Sequence, residues 1–408
     1  MPERKIPIAQ PCTGEEEAQA ARRVILSGWV TQGPEVAAFE REFAAYVGAV
    51  HACAVSSCTT ALHLSLLAAG VRPGDEVITP SHSFIATANG IRHCGAKPVF
   101  VDIEPDTFNI DTSMIQSAIS ERTRAILCVH QVGMPCDLKS VLKIARRHGL
   151  AVVEDAACAI GSEILWEGIW NQIGKPHGDV ACFSFHPRKL ITTGDGGMLT
   201  TSNPDWDRKF RLWRQHGMNI PDTVRHETNQ VIFESYSEAG FNYRMTDIQA
   251  AVGREQLKRL PQMIDRRRYL AKRYRDLLAP IPGLGLPYEP EWAHSSWQSY
   301  CVRLPDGVDQ RQVMQAMLDS GVATRRGVMC AHRELAYPRG TWSCGDATCY
   351  SSIELCPHLK ASEQAQDRCI VLPLFHQISE IQQDKVVEAL RDAMGQGYGC
   401  NKEQEVSS

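Results

Sequence analysis

Asp179 to Thr201 reads D-V-A-C-F-S-F-H-P-R-K-L-I-T-T-G-D-G-G-M-L-T-T, and its residue types predict a strand, a turn and a second strand. Val180, Cys182, Phe183 and Phe185 give the small, β-branched and aromatic pattern of a buried strand. Pro187 is expected to stop it, because a ring nitrogen cannot donate to the ladder. Lys189 follows on the turn, and Gly194, Gly196 and Gly197 predict a tight reversal into Met198 to Thr201. A lysine at the mouth of a sheet, its stem in apolar surroundings, can lose its proton and act as an amine nucleophile. A surface lysine in a hairpin fits the same letters.

Upstream, the chain alternates strands and helices. Apolar segments recur at His51 to Val55, Glu76 to Thr79, Pro98 to Val101, Ala125 to Val129 and Leu150 to Val153. Helical segments lie between several of them, at Thr60 to Ala69, Ser83 to Arg92, Thr112 to Ile119 and Asp137 to His148. This rhythm predicts an α/β fold with a largely parallel sheet covered on both faces, where ligands bind beyond the carboxyl ends of the strands. Ahead of it, residues 1–13 read as an extended arm. Two helices follow, one opened by Glu15-Glu16-Glu17 and closed by Gly28, the other opened by Pro34 and closed by Gly48. Downstream, Thr246 to Gln249 reads as a capping box on a long helix that passes Arg266-Arg267-Arg268 and ends near Leu278. Pro280, Pro282, Pro287 and Pro290 mark a linker. A smaller α+β unit then has strands at Ser299 to Leu304 and Cys369 to Leu372, and helices at Gln310 to Ser320 and Glu380 to Met394. The expected division is a large domain over 1–262, a small one over 263–398 and a polar tail at 399–408, with fraying from Gly395.

Composition narrows the function. The 408 residues are 43% hydrophobic and 22% charged, the make-up of an ordinary globular protein. A net charge of −4 argues against a nucleic-acid partner. No apolar run approaches the roughly 20 residues of a membrane helix, and the N-terminus has no hydrophobic signal core, which predicts a cytoplasmic protein. The 15 cysteines are scattered through apolar runs and suit reduced core thiols. Their one cluster, Cys344, Cys349, Cys356 and His358, fits no zinc module, and no metal is expected. No Gly-x-Gly-x-x-Gly or Walker-type loop opens a helix.

Four features gather at the predicted strand ends. Asp155 closes the apolar strand V-V-E-D, next to the strand that leads to Lys189. Ser56-Ser57-Cys58-Thr59-Thr60 lies where a strand passes into a helix, and exposed amides with hydroxyls there suit a phosphate, although plain helix capping uses the same residues. Ser184 adds a hydroxyl, and Phe84 can stack on a flat ring or serve as a core aromatic. A phosphate cradle, an aromatic lid, a carboxylate and a Schiff-base lysine are together what pyridoxal 5′-phosphate (PLP) requires. The carboxylate keeps the pyridine nitrogen protonated by opposite charge.

These residues carry a resemblance. S-S-C-T-T-A-L-H-L, P-G-D-E-V-I-T-P-S-H-S-F-I-A-T-A-N, G-A-K-P-V-F-V-D-I, V-E-D-A-A, C-F-S-F-H-P-R-K, G-D-G-G and F-N-Y-R-M-T-D-I-Q-A-A resemble the DegT/DnrJ/EryC1/StrS aminotransferases from about Ile6 to Arg391. The resemblance implies a fold-type I PLP enzyme with a mostly parallel mixed sheet covered by helices and a smaller C-terminal α+β domain. It implies Lys189 as the Schiff-base lysine, Asp155 as the partner of the pyridine nitrogen and Phe84 as the stacking ring. Cys58, Thr59, Thr60 and Ser184 would hold the phosphate. Asn242 would reach the cofactor phosphate of a neighbouring subunit, implying a homodimer with shared sites. The implied activity is transfer of an amino group, with L-glutamate as donor and a nucleotide-linked ketosugar as acceptor, by a ping-pong scheme. Arg325, Arg326, His332 and Arg333 are candidates to meet the negative carrier, or plain surface charge.

The departures from the family pattern are Cys58 where many members have glycine, Cys158 at a cofactor-binding position commonly held by glutamine or histidine, and His186 where many have an aromatic. Ser162 to His177 is longer than usual and carries Trp166 and Trp170, which points to a substrate or dimer loop. An aminocyclitol aminotransferase is a second reading, and a non-catalytic regulatory or binding member of the family is a third. Sugar dehydratases of the family typically carry histidine in place of the lysine, and Lys189 argues against that class.

Overall fold

The computed structural model describes residues 5–220, 229–344 and 356–399, with side chains to 395 in the last stretch. Two N-terminal helices, α1 (Glu15–Ser27) and α2 (Pro34–Val47), end on Gly28 and Gly48, both left-handed at φ 80° and 75°. Strand β1 (His51–Val55) leads into α3 (Cys58–Ala68), β2 (Glu76–Pro80) into α4 (Ala86–His93) and β3 (Lys97–Val101) into α5 (Thr112–Ala118). Then come β4 (Thr123–Val129), α6 (Leu138–His148), β5 (Ala151–Asp155), the pair β6 (Glu163–Trp166) and β7 (Ile169–Gln172), β8 (Val180–Ser184) and β9 (Gly197–Thr201).

Seven of these strands form one sheet in the order β1-β9-β8-β5-β4-β2-β3. The β3, β2, β4, β5 and β8 pairings are parallel, while β9 runs against both neighbours. The expected mostly parallel sheet is therefore present, and both of its faces are covered. Ile126, Val152, Ala181 and Phe183 enter a core with Phe39 and Phe43 of α2. Their neighbours Leu127, Val153, Val180 and Cys182 enter the opposite core with Leu62 and Leu66 of α3. Adjacent residues pointing to opposite apolar layers explain why these strands read as continuous hydrophobic runs.

After α7 (Pro204–Trp213), α8 (Asp247–Leu278) spans both units of the molecule. Its 32 residues extend about 48 Å at 1.5 Å per residue. Leu257, Leu260, Met263 and Ile264 pack on the large sheet, whereas Leu270, Ala271, Tyr274 and Leu278 belong to a second core. That core is built on β11 (Tyr300–Arg303), β12 (Arg325–Arg326) and β13 (Cys369–Leu372), with α9 (Gln310–Asp319), α10 (Lys360–Arg368) and α11 (Glu380–Gly399) around them; β10 (Ala293–His294) precedes them. The three strands pair antiparallel in the order β11-β13-β12. Ile6 of the N-terminal arm is buried in this second core, bridged to Val322.

The structure corrects several expected boundaries. β8 ends at Ser184, three residues before Pro187: Phe185 N–H still reaches Gly196 O (2.9 Å), but the Phe185 carbonyl accepts Thr193 N–H (3.1 Å), and the chain reverses with Lys189 N–H on His186 O (2.8 Å). Helix α4 begins at Ala86, leaving Phe84 in the turn before it. The 162–177 segment, expected as a loop, contains a β-hairpin: β6 and β7 pair around Glu167 and Gly168, both at positive φ (50° and 82°), the backbone of a tight hairpin turn. β10 adds to its other edge. The tail expected from Gly395 starts later, since α11 continues to Gly399; extending a formed helix fixes one residue per added bond. Residues 400–408 and Cys349 lie outside the described residues.

Candidate active site

The parallel strands deliver their carboxyl ends to one side of the sheet, and a cavity of about 420 Å³ opens there. Its walls include Ser57, Cys58 and Thr59 after β1, Phe84 after β2, Asp155 at the end of β5 and Cys158 just past it, and Ser184 at the end of β8 with Lys189 beyond. These sequence-predicted residues come together although they are scattered over 130 positions of the chain. The second unit and the arm complete the cavity with Arg325, Arg326, Met329, Ile8 and Ala9.

Asp155 is 5% exposed. Its Oδ2 accepts the Thr87 hydroxyl at 2.7 Å and its Oδ1 the Ala157 amide at 3.1 Å. Burial pushes its pKa above the usual carboxylate range, against the pull of Thr87, Ala157, Lys189 and His130. Lys189 is half-buried, and its Nζ donates to Cys158 Sγ at 3.0 Å. Burial works to lower the lysine's pKa, but Cys158, Cys58 and Asp155 outweigh it and hold the ammonium beyond its usual range.

The cradle expected for a phosphate falls at the start of α3. The Ser57 hydroxyl caps the helix by accepting Thr60 N–H (3.2 Å), and Thr60 Oγ1 returns a bond to Ser57 O (2.7 Å). Thr60 is thus engaged in the cap and is not a wall of the cavity; Thr59 is. Cys58 does not obstruct backbone approach, because its thiol turns into the core and donates to Cys182 O at 3.6 Å. Gly197 lies against this turn so closely that a Cβ would stand 2.5 Å from the Ser57 carbonyl carbon and 2.7 Å from Cys58 N. Glycine is what permits the approach.

Phe84 is 61% exposed at the mouth. Ser184 is half-buried at the end of β8, and Asn242 is exposed outside this cavity, bridged to Gln215. Of the cationic candidates, Arg325 and Arg326 line the cavity, and Arg326 pairs with Glu334 at 3.1 Å. His332 is instead buried between Ser81 Oγ (2.7 Å) and Glu363 Oε1 (2.9 Å), and Arg333 pairs with Asp367 at 2.7 Å. Both are therefore engaged in structural contacts. Thr87, Gln298 and the arm residues Ile8 and Ala9 belong to the site and carry no sequence signal beyond their place near a strand end or in an extended arm. No helix among the described residues is long and apolar enough to cross a membrane.

The model of the DegT/DnrJ/EryC1/StrS aminotransferase family matches residues 11–391. The spore coat polysaccharide biosynthesis protein SpsC of Bacillus subtilis is 37% identical over 391 residues, covering 95% of this chain and 96% of its own. The crystal structure of the aminotransferase TlmJ from Streptoalloteichus hindustanus superposes with a TM-score of 0.84 at 33% identity, covering 96% of this chain and 99% of that one. The putative sugar aminotransferase Spr1654 from Streptococcus pneumoniae, in its PLP form, superposes with a TM-score of 0.85 at 26% identity, covering 96% and 99%.

Proposed function

This chain belongs to the DegT/DnrJ/EryC1/StrS aminotransferase family and is a PLP-dependent aminotransferase, and we propose that it carries an amino group from L-glutamate to a ketosugar linked to a nucleoside diphosphate. The observation that carries the reading is the meeting of Lys189 and Asp155 in one cavity, close enough for each to shift the other's protonation.

The residues present fit the cofactor. A buried carboxylate with two donors and a raised pKa is completed by a cationic N–H, which a protonated pyridine nitrogen offers. The first amides of α3, with the Ser57, Thr59 and Ser184 hydroxyls, suit the phosphate, and the close packing of Gly197 fixes that turn. When bound, PLP supplies an aldehyde that condenses with amines and a ring that accepts the electron pair left by deprotonating a substrate carbon.

The chain's own residues do the rest. Asp155 would hold the positive charge of the ring nitrogen, and Thr87 holds Asp155. Phe84, exposed at the mouth, would cover a ring face. With the cofactor and donor bound, Lys189 Nζ would be the base that takes the proton from the donor's amino-bearing carbon and holds it for return. The same group works in reverse on the acceptor, so both half-reactions share one site in a ping-pong order. Arg325, exposed at the mouth and making no side-chain hydrogen bond or ion pair among the described residues, is the group we assign to the substrate's anionic part.

We propose a homodimer in which Asn242, exposed and outside this chain's own cavity, reaches the partner's cofactor phosphate. The two cores along α8, the first reaching Ile264 and the second starting at Leu270, support a division into large and small domains a few residues past 262. Cys53, Cys58, Cys94, Cys128, Cys182 and Cys301 are free thiols in the core, which suits a reducing cytoplasm.

The test is spectroscopic. The purified protein shows the visible band of a lysine-linked cofactor, glutamate bleaches it, and the competent ketosugar restores it. Restoration by a ketocyclitol instead would move the acceptor class. Full turnover in Lys189→Ala would overturn the assignment.

A further inference from the structure

The peptide that carries Lys189 is gripped on both sides by one side chain from another part of the fold. Gln298 Nε2 donates to Arg188 O at 2.7 Å, and Gln298 Oε1 accepts Leu190 N–H at 3.0 Å. Both ends of the carboxamide are thus engaged by the residues flanking the lysine. Gln298 is 7% exposed and lies just ahead of β11, in the segment leading into the second unit.

That segment has its own anchor. Arg267 of α8 is 4% exposed and donates from Nη1 to Trp297 O (3.0 Å) and Gln298 O (3.1 Å). Among the described residues no carboxylate pairs with it, and burial lowers its pKa to about 10. A buried guanidinium answered by carbonyls is costly, and here it holds Trp297 at a left-handed φ of 52° that a tryptophan rarely adopts. The same loop reaches the other catalytic turn: Ser296 Oγ donates to Cys158 O (3.4 Å), and Ser299 N–H to Val132 O (3.3 Å). One short loop therefore touches both the turn that presents Lys189 and the turn that follows Asp155.

We infer that Gln298, fixed by Arg267, is a positioning residue that sets the direction in which Lys189 Nζ enters the cavity. Gln298 acts through the lysine peptide: the contacts it makes there are to the backbone of Arg188 and Leu190. Its loss should leave substrate binding nearly intact and slow the proton transfer that depends on the position of Nζ. The inference rests on Lys189 as the cofactor-linking lysine, and its test separates the two.

The full-length protein is compared with Gln298→Leu, which keeps bulk but bonds neither neighbour, and Gln298→Glu, which keeps the acceptor for Leu190 N–H but cannot donate to Arg188 O. Hydrogen exchange read by mass spectrometry over residues 186–193 should quicken by about tenfold or more in Gln298→Leu, while residues 151–155 are unchanged. The pH midpoint of the lysine-linked visible band should move in both variants, and kcat should fall about tenfold with KM within about twofold. Arg267→Met should reproduce the exchange change. If Gln298→Leu does not fold, Gln298→Glu carries the test. Unchanged exchange at 186–193, or an unmoved spectral midpoint, overturns the inference. Altered exchange together with full turnover in Lys189→Ala would instead leave the grip intact and remove the role of the lysine.

Discussion

Lys189 Nζ donates to Cys158 Sγ across 3.0 Å. The amine proposed to shed a proton and attack a carbonyl is therefore held by a sulfur, and that sulfur stabilises its protonated form. Burial opposes this, and Cys158 leads the groups that outweigh it. In Cys158→Ala the burial effect should gain ground and the lysine's pKa should fall. The rate at which the cofactor-free protein captures PLP, followed in the visible against pH, should reach half-maximum at a lower pH than in the parent. A profile that does not move would mean the sulfur leaves the amine unaffected.

Thr87 should matter beyond its size. Its hydroxyl is the strongest of the influences that oppose burial at Asp155, and hydrogen bonds to charged groups contribute about 1.5–3 kcal/mol. Thr87→Val should raise the Asp155 pKa further, so activity should fail at a higher pH on acidification, with kcat down by about tenfold or more. Thr87→Ser should restore most of it. The pH–rate profiles of the two variants decide the matter.

His82 gives a pH dependence of stability with a defined sign. It is 1% exposed, neither ring nitrogen has a partner among the described residues, and burial lowers its pKa to about 3. The unfolded chain binds a proton near pH 6.5, so this contribution is complete above that pH and is lost as pH falls toward 3. The slope is about 1.4 kcal/mol per pH unit for one proton. Denaturant melts at pH 7 and pH 5 should show a smaller acid loss in His82→Leu than in the parent. Equal losses would assign the acid sensitivity to other groups.

The strands and their terminal residues were legible because period-two patterns and glycine turns are local signals. Asp155, Lys189 and Ser184 stand where V-V-E-D, the turn after Phe185 and C-F-S-F place them. The residues that hold them were not legible. Thr87 meets Asp155 across 68 positions and Gln298 meets Arg188 across 110, and no local pattern encodes such a pairing. The same reason moved His332 and Arg333 away from the cavity, since their acidic partners stand some 30 residues further on. Cys58 looked like an obstacle by residue type alone, yet its rotamer carries the thiol into the core. The β6–β7 hairpin had a signal in Glu167-Gly168 between two apolar segments, but the short runs around it resembled an inserted loop.

Strand register has a consequence for how this protein can diversify. Asp155 sits on the rung opposite Cys182, and Ser184 on the rung opposite Gly197. These cavity-lining groups, the proposed contacts to the cofactor, are thus indexed by backbone pairing, and a slip of one rung would turn each to the other face. The mouth is furnished separately, by Ile8 and Ala9 of the arm and by Arg325, Val328 and Met329 of the second unit. Grafting new segments at those places can retarget the acceptor while the ladder keeps its chemistry unaltered, which makes the arm and the β12 edge the places to begin engineering.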